Sequence, residues 1–399
     1  MIELQKALDT VLDNTSLLGF EGVSLTRALN RVLAENITSR DNLPPFDKSA
    51  MDGYALNSAE TKEGVSKFKI TGSIKAGDFP KNGIKAGETV KIMTGAALPE
   101  GADAVIQIEK VKTCEDELEV CGKVNRGKNI LREGEEIRKG DSVFGKGTFL
   151  RPSEIGMLAS LGYSSIECYR KPKIIVITTG DELVGVDDEI TGGKVRNCNE
   201  YALAALGNNL NADVKSYGVV EDNREKILNS VKNAFQEGDI VITSGGVSVG
   251  DYDFIEYVLH DIGADIKFTS VKIKPGKPIT FATFKNKLFF GLPGNPLSVI
   301  NTFEVFVTPA VKKMTGRKDI LSEEFPVILE DDFRSKGDRD NYVYVNIEER
   351  DGKYYAHSVG SQSSNALFTL TRSNGVIIIK EGIKSVKAGD ILNGKFIFK

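Results

Sequence analysis

The spacing of hydrophobic positions changes several times along the chain, and each change marks a different kind of structure. From Leu4 to Leu33 apolar residues recur at helical spacing, which predicts two amphipathic helices, the second capped by Ser24. The segment 42–46 interrupts this pattern with two prolines, which disfavour a helix at and just before themselves. Residues 46–140 are rich in glycine and carry short alternating runs, which are typical of a β domain.

The later parts of the chain complete a multidomain α/β fold class. Because a helical pattern returns near 153–161, we interpret residues 1–45 and 141–169 as one helical N-terminal linker domain, with 46–140 as an inserted β-rich domain. Residues 170–318 alternate apolar strands with helical segments, which predicts a central three-layer α/β domain with a mostly parallel sheet. Residues 319–399 return to a β pattern and predict a C-terminal β-barrel-like domain.

Within the α/β region, the pattern places individual elements. We expect helices near 201–210, near 224–235 with Asp222 as its cap, and from about 297 to 314 with a kink at Pro309. We expect strands at 174–177, 240–242, 266–273 and 288–290.

Three loops containing glycine follow strand-like runs: Thr243–Asp253, Lys274–Pro278 and Leu292–Pro296. Glycine lets backbone N–H groups approach a ligand closely, and ligands of parallel sheets bind beyond the carboxyl ends of the strands. With two lysines and two aspartates among them, these loops favour an anionic ligand handled with a divalent metal. The alternative is three ordinary surface turns. The first loop is neither a Walker A nor a dinucleotide-binding motif.

Other segments permit two interpretations each. Glu182, at the end of a strand, can bind magnesium or act as a general base; alternatively, Asp181 caps a helix with Glu182 near its N-terminus. The segments around Asp52 and Thr94 suit either tight structural turns or loops that reach a neighbouring active site.

Composition narrows the function classes. The 52 basic and 56 acidic residues give a net charge of −4, which argues against general nucleic-acid binding. No apolar run is long enough to span a bilayer, and the first residues lack a signal-peptide pattern. The four cysteines form no Cys-x-x-Cys pair, so we expect a reduced, cytoplasmic protein. Neither histidine, His260 or His357, lies in a metal-ligand motif, which argues against a zinc site or a Ser-His-Asp triad.

Six motifs, in order, carry a resemblance to a known family. They are Pro45-Phe-Asp-Lys-Ser-Ala-Met-Asp-Gly-Tyr-Ala55, Met93-Thr-Gly-Ala96, Thr179-Gly-Asp-Glu-Leu183, Ser244-Gly-Gly-Val-Ser-Val-Gly250, Lys274-Pro-Gly-Lys-Pro278 and Leu292-Pro-Gly-Asn-Pro296. The chain resembles, over essentially its whole length, the MoeA-type molybdopterin molybdenumtransferases, which include the gephyrin E domain.

This resemblance implies an enzyme that inserts molybdate into molybdopterin while adenylyl-molybdopterin is hydrolysed to AMP, supported by Mg²⁺. Molybdate and tungstate are not distinguished by the sequence. The resemblance also implies a homodimer, with each site lying between the α/β domain of one subunit and the inserted domain of the other. A MogA-type adenylyltransferase is a further partner to expect, whereas nucleic acid and membrane are not.

The same resemblance assigns roles to individual residues. It implies a catalytic set of Asp52, Thr94, Glu182, Asp222 and Asp253, of which Glu182 and Asp253 are the metal ligands. It implies a substrate- and oxyanion-binding set of Gly245, Gly246, Ser248, Lys274, Lys277, Pro293, Pro296, Ser298, Arg339 and Ser364.

Two positions depart from the family pattern. Glu136 stands where the family usually has an aspartate, which lengthens the acidic side chain. Tyr344 stands where the family usually has an arginine two residues after an aromatic, and a phenol cannot replace a guanidinium at an oxyanion. Either Arg339 compensates or the oxyanion site is altered.

Two other functions are weighed against molybdenum insertion. A molybdopterin adenylyltransferase of the MogA type shares the α/β domain but lacks the flanking β domains, so residues 46–140 and 320–399 argue against it. A non-catalytic scaffold that binds molybdopterin is disfavoured by the intact Asp52, Glu182 and Lys274.

Overall fold

The computed structural model describes residues 1–246 and 254–397. The chain separates into two compact units, one of Met1–Ala34, Lys146–Ile155 and Ser165–Lys399, the other of Glu35–Gly145 and Gly156–Ser164. The predicted site residues Ser248 and Asp253 lie outside the described residues. The four domain boundaries drawn from the sequence stay predictions.

The centre of the first unit is a six-stranded sheet with helices on both faces. Its strands run in the order Asp213–Val220, Lys173–Thr179, Ile240–Ser244, Lys287–Leu292, Pro278–Phe284 and Asp265–Ser270. The first four are mutually parallel and the last two join antiparallel. Successive residues of the apolar run 174–177 pack into two different cores, one on each face. The mostly parallel, three-layer arrangement predicted from the alternation is therefore observed.

The helices of this domain are Cys198–Asn209, Arg224–Glu237, Ile255–Asp261, Pro296–Thr302 and Thr308–Met314, with a π-helical turn at Phe303–Val307. One predicted detail is wrong: Asn223, not Asp222, caps the second helix, because its side chain accepts the N–H groups of Glu225 and Lys226. The predicted long helix is present, and its distortion takes the form of the π-helical turn just ahead of Pro309, whose ring crowds the carbonyl group one turn earlier.

The N-terminal region is less helical than predicted. Leu4–Asp13 forms the first expected helix and buries Ala7 and Val11. The second expected helix is wrong: Ser24 ends a strand, Phe20–Ser24, and only the 3₁₀ turn Leu25–Arg27 follows.

Pairing across the chain explains this difference. Phe20–Ser24 pairs antiparallel with Ser165–Tyr169, and Asn30 adopts a left-handed backbone with φ 61°. Val32 and Leu33 then form β-bridges with Phe149 and Cys168, so their apolar side chains are buried without a helix. The helix expected near 153–161 is present at Pro152–Ser160.

The C-terminal region forms a closed sheet. Its strands run in the order Ile273–Lys274, Asp340–Arg350, Lys353–Ser358, Phe325–Leu329, Ile391–Phe396 and Gly375–Ile379. A further pairing of Asp340–Arg350 with Gly375–Ile379 closes the sheet, as expected for a barrel-like domain. Phe333–Arg334 pairs with Ser385–Val386, and Leu367–Arg372 is a short helix. Because Lys274 pairs with Asn341, the lysine-containing turn of the α/β domain is joined directly to this sheet.

The second unit is rich in β-structure, as its glycine-rich, alternating sequence predicts. Its main sheet runs in the order Ala104–Gln107, Gly53–Leu56, Glu88–Ile92, Val65–Ile74, Glu117–Cys121 and Val111–Cys114. Short antiparallel pairs join Ile37–Thr38 to Ser142–Phe144 and Lys48–Ser49 to Ile130–Leu131. In the described part of the chain, no helix has the length and apolar character needed to cross a membrane.

Candidate functional site

Three neighbouring parallel strands end at one edge of the central sheet. They are Lys173–Thr179, Ile240–Ser244 and Lys287–Leu292, which carry three of the motifs found in the sequence. The residues that follow them line a cavity of about 350 Å³. Five predicted site residues lie around it: Glu182, Asp222, Gly245, Gly246 and Pro293.

Two glycines shape the floor of this cavity. Gly245 has φ +95°, and a Cβ there would lie 2.4 Å from the carbonyl oxygen of Thr179. Gly246 has φ +68°, and its Cβ would lie 3.2 Å from the Thr179 hydroxyl oxygen. Side chains are strained at these φ values, so glycine is required here. The buried Thr179 hydroxyl has no hydrogen-bond partner among the described residues, which is unusual for a buried polar group.

The acidic loop is not a helix start. Leu183–Val184 forms a short strand directly after Glu182, so the interpretation of Asp181 as a helix cap is wrong. The Glu182 carboxylate is exposed and folds back over Gly180, where a Cβ would meet it at 2.7 Å. The Asp181 carboxylate accepts a hydrogen bond from the backbone N–H of Asp222 at 3.1 Å. This bond joins the loop that carries Glu182 to the loop that carries Asp222.

An asparagine that sequence analysis missed ties the strand ends together. The Asn199 side-chain amide donates to the Ser244 hydroxyl oxygen at 2.9 Å and to the Gly294 carbonyl at 2.7 Å. Asn197 caps the same helix and donates to the Thr178 hydroxyl oxygen at 2.8 Å. An asparagine just before an apolar periodic segment is a helix-start signal, and this signal could have located Asn197 but not Asn199, which lies inside the helix.

The lysine-containing turn borders the cavity through Pro278. Lys274 is half-buried and Lys277 is exposed. The Asn301 side chain donates to the Pro275 carbonyl at 2.8 Å, and a Cβ at Gly276 would lie 2.4 Å from the Thr302 methyl group. The turn is therefore packed onto the Pro296–Thr302 helix, in which Ser298 is buried.

The C-terminal domain reaches the same helix through Ser364. The Asn295 side chain donates to the Ser364 hydroxyl oxygen at 2.9 Å, and the Leu297 N–H donates to the Ser364 carbonyl at 3.0 Å. Asn295 also lines the cavity. The structure thus places Ser364 next to the segment that carries Pro296 and Ser298, two other residues of the predicted oxyanion set.

Arg339 and Tyr344, the two residues considered for the family's arginine position, differ in their surroundings. Arg339 forms an ion pair with Asp338, and its buried Nε has no partner among the described residues. Tyr344 is buried in the core between the α/β domain and the C-terminal sheet. Its hydroxyl lies 2.9 Å from the Asn301 side-chain oxygen. Whether Arg339 compensates for Tyr344 stays a prediction.

The second unit holds the other two predicted catalytic residues as a pair. The backbone N–H and the hydroxyl of Thr94 both donate to one Asp52 carboxylate oxygen, each at 2.7 Å. The backbone bond first, and then the hydroxyl bond, lower the pKa of Asp52 below its ordinary value. Glu136 is exposed. These bonds suit a structural turn, and the functional role of this pair and of Glu136 stays a prediction.

A larger open hollow of about 1430 Å³ lies in the second unit, along residues 71–101. Of the described residues, those with a buried, unpartnered polar side-chain atom all lie outside it. We therefore place the candidate site at the strand-end cavity, where an orphaned hydroxyl, two acidic loops and the lysine turn converge.

The donor groups of this cavity fit Mg²⁺ bound together with a phosphate. Over residues 1–246 and 254–397, no three Asp, Glu, His or Cys side chains form a metal-binding cluster. Glu182 and Asp222, which carry carboxylates, both line the cavity. Mg²⁺ typically keeps several waters and uses one or two carboxylates plus substrate phosphates, which matches this set better than an all-protein cage would.

Known protein families match nearly the whole chain. The MoeA N-terminal region (domain I and II) matches residues 2–162, the probable molybdopterin binding domain matches 175–313, and the MoeA C-terminal region (domain IV) matches 326–393. The molybdopterin molybdenumtransferase of Staphylococcus aureus strain COL is 33% identical over 393 residues, which cover 97% of this chain and 94% of the relative. That of Staphylococcus epidermidis is 35% identical over 376 residues, covering 93% and 90%.

The fold agrees with the sequence relatives. The crystal structure of the molybdopterin biosynthesis MoeA protein from Pyrococcus horikoshii matches with a TM-score of 0.84 at 30% identity, over 99% of this chain and 100% of the other. Matching domains in matching order, relatives of similar length and a shared fold lead to one conclusion: this chain belongs to the MoeA family of molybdopterin molybdenumtransferases, enzymes of molybdenum cofactor biosynthesis.

Proposed function

We propose that this enzyme inserts molybdate into the dithiolene of adenylyl-molybdopterin, with Mg²⁺-dependent release of AMP. The observation that supports this proposal is that two groups suited to bind anions, the lysine turn and the glycine loops, lie side by side. Pro278, directly after Lys277, lines the same cavity as Glu182 and Gly246, so the lysine turn adjoins the glycine loops.

Each side of this junction suits one part of the substrate pair. Gly246 lets a pyrophosphate approach the backbone closely, and the orphaned Thr179 hydroxyl can donate to one of its oxygens. Glu182 and Asp222 would hold Mg²⁺, which offsets phosphate charge when it is bound. Outside the described residues, Asp253 is proposed as a further ligand. Lys274 and Lys277, with the hydroxyls of Ser298 and Ser364, suit a tetrahedral dianion.

Chemical balance assigns the products. A water oxygen adds to a phosphorus of the pyrophosphate link and AMP leaves. Two Mo–S bonds form as the two S–H bonds of the dithiol and one Mo–O bond of molybdate break, and the two thiol protons leave with that oxygen as water. The protein supplies binding, orientation and electrostatic stabilisation of these charges, since charged donors in a partly closed site act more strongly than in water.

The direct test combines purified protein, adenylyl-molybdopterin and Mg²⁺ with either molybdate or tungstate. We expect AMP release that depends on the oxyanion, and metal retained on the pterin product. Binding of adenylyl-molybdopterin without AMP release would favour the scaffold function. Formation of adenylyl-molybdopterin from ATP and molybdopterin would favour the adenylyltransferase. The ratio of turnover with the two oxyanions would establish the metal preference.

We further propose a homodimer in which the Asp52–Thr94 pair of one subunit completes the site of the other, and a MogA-type adenylyltransferase as the enzyme that supplies the substrate. Family membership and the exposure of Asp52 and Thr94 support this proposal. A mixed dimer tests it: Asp52→Ala and Glu182→Ala chains, each inactive alone, should regain activity together, because one of two sites is then intact. Confirmed heterodimers without activity would contradict a shared site.

A further inference from the structure

Tyr344 lies at the end of a hydrogen-bonded relay that leads to the lysine turn. Its hydroxyl contacts the Asn301 side-chain oxygen at 2.9 Å, and the Asn301 side-chain nitrogen contacts the Pro275 carbonyl at 2.8 Å. A carbonyl oxygen only accepts, so the amide nitrogen must face Pro275, which leaves the amide oxygen facing the phenol. Tyr344 must therefore donate to Asn301, and the relay has one direction.

The phenol is suited to remain a donor. Tyr344 is 2% exposed and Asn301 is 1% exposed, so water does not compete for either group. Burial, followed by the nearby Glu304 carboxylate, raises the pKa of the Tyr344 phenol far above its ordinary value, which keeps the proton in place.

The backbone of Tyr344 holds a second segment of the same region. Its N–H donates to the Gln362 side-chain oxygen at 2.9 Å, and its carbonyl accepts from the Gln362 side-chain nitrogen at 2.9 Å. Gln362 is two residues before Ser364, which bonds to Asn295 and Leu297 beside the cavity. One residue is thus bonded, through a single side chain on each side, to both the lysine turn and the serine loop.

We infer that Tyr344 is a positioning residue of the oxyanion-binding region: its hydroxyl sets the Lys274–Lys277 turn through Asn301, from a backbone position that Gln362 ties to the loop carrying Ser364. This inference rests on the proposed function for the identity of the anion, a tetrahedral dianion. The geometry of the relay itself is independent of that function.

Packing alone does not account for this arrangement. A phenylalanine would fill nearly the same space as Tyr344, and replacing a buried polar pair by apolar groups is often close to neutral for stability. Tyr342 offers a matched comparison on the same strand and in the same core. Its side chain is also buried, but the hydroxyl that bonds to Asn301 is that of Tyr344. The polar function is therefore specific to Tyr344.

The test compares Tyr344→Phe with the control Tyr342→Phe. Loss of one buried hydrogen bond should raise the molybdate concentration for half-maximal AMP release about threefold to tenfold in Tyr344→Phe. In Tyr344→Phe, the half-saturating concentration of adenylyl-molybdopterin should change less than about twofold. In the control, the half-saturating concentrations of molybdate and of adenylyl-molybdopterin should both change less than about twofold. Equal shifts for both substrates, or equal shifts in both variants, would mean a general packing role and overturn the inference.

Two further measurements separate this inference from the proposed function. Amide hydrogen exchange in a peptide spanning residues 271–280 should be faster in Tyr344→Phe than in Tyr342→Phe, whether or not the wild-type protein releases AMP. Asn301→Asp keeps the acceptor for the phenol but removes the donor to Pro275, so it should accelerate the same exchange. Its combination with Tyr344→Phe should add little, since the relay is already broken. Unchanged exchange in both single variants would overturn the relay even if catalysis is confirmed.

Discussion

The two flanks of the cavity are built in different ways. The phosphate flank consists of the loops Thr179–Glu182 and Ser244–Gly246, in which glycine backbone lies against Thr179. The Glu182 carboxylate there is exposed and bonds to no described residue. The oxyanion flank consists of the Lys274–Lys277 turn and the Ser364 loop, which are held by buried amides such as Asn301 and by Asn295.

This difference determines how far the effect of a substitution should spread through the molecule. The phosphate flank is shaped within one domain, by loops that follow neighbouring strands of a single sheet, so a change there should act on chemistry or on these loops. The oxyanion flank joins residues that are 26 and 69 positions apart, so a change there acts through the packing of two domains. Affinity for the oxyanion should therefore be tunable from outside the pocket, whereas phosphate handling should not be.

The largest effect is expected for Gly245→Ala. The new Cβ would lie 2.4 Å from the backbone carbonyl oxygen of Thr179, which cannot move aside as a flexible side chain could. The φ of +95° at this position adds strain. We expect the unfolding free energy to fall by about 2 kcal/mol and AMP release to fall roughly a hundredfold. Denaturant unfolding and the AMP assay measure the two effects.

Gly193→Ala is the matched control. Gly193 also has a positive φ, of +84°, but a Cβ there meets nothing within 4 Å. It should lose stability without a comparable loss of turnover. Equal loss of turnover in both variants would mean that backbone strain, and not the close approach to Thr179, controls the phosphate flank.

The next effect concerns Glu182→Gln, which removes charge but keeps shape. Turnover should fall at least about tenfold, equivalent to roughly 1.4 kcal/mol in the barrier, if this carboxylate holds Mg²⁺. Thermal stability should be unchanged, because the side chain is exposed. Raised Mg²⁺ should restore part of the activity. Glu189→Gln, at another exposed acid of the same unit, should be silent; wild-type turnover in Glu182→Gln would remove this residue from the site.

The sequence anticipated the phosphate flank better than the oxyanion flank. Gly245 and Gly246 were found because glycine after an apolar run has a direct conformational meaning, and the strand ends followed from the βαβ alternation. The prediction of a second N-terminal helix was wrong because Phe20–Ser24 pairs with a strand more than 140 residues away. The spacing of apolar residues does not show whether such a distant partner exists.

The relay on the oxyanion flank could not be predicted for the same reason. Resemblance alone placed Tyr344 at a position where a basic group is expected at the oxyanion. The structure instead buries its ring and directs its hydroxyl to Asn301, 43 residues earlier. Which polar partner a buried side chain meets depends on the packing of two domains, and neither residue type nor spacing encodes it.

A smaller effect is expected for Lys274→Ala and Lys277→Ala. Each should raise the half-saturating molybdate concentration about fivefold, since a partly exposed charge pair is worth on the order of 1 kcal/mol. Adding salt should weaken molybdate binding to the wild type more than to either variant, because salt screens exposed charges. Lys285→Ala, at an exposed lysine outside the cavity lining, is the control. Normal molybdate dependence in both site variants would place the oxyanion pocket elsewhere.

The smallest effect is expected for Arg339→Ala. This substitution tests whether a cation outside the relay contributes to molybdate binding. Arg339 directly precedes the strand Asp340–Arg350, which pairs with Lys274, but its guanidinium is engaged by Asp338. A charge already neutralised by a neighbour adds little at a distance, so we expect the half-saturating molybdate concentration to rise about twofold or less. A rise as large as that for Lys274→Ala would instead show that Arg339 supplies the positive charge missing at Tyr344. The oxyanion flank would then depend on charge as well as on the relay, and Asp338→Asn, which frees the guanidinium, should strengthen molybdate binding.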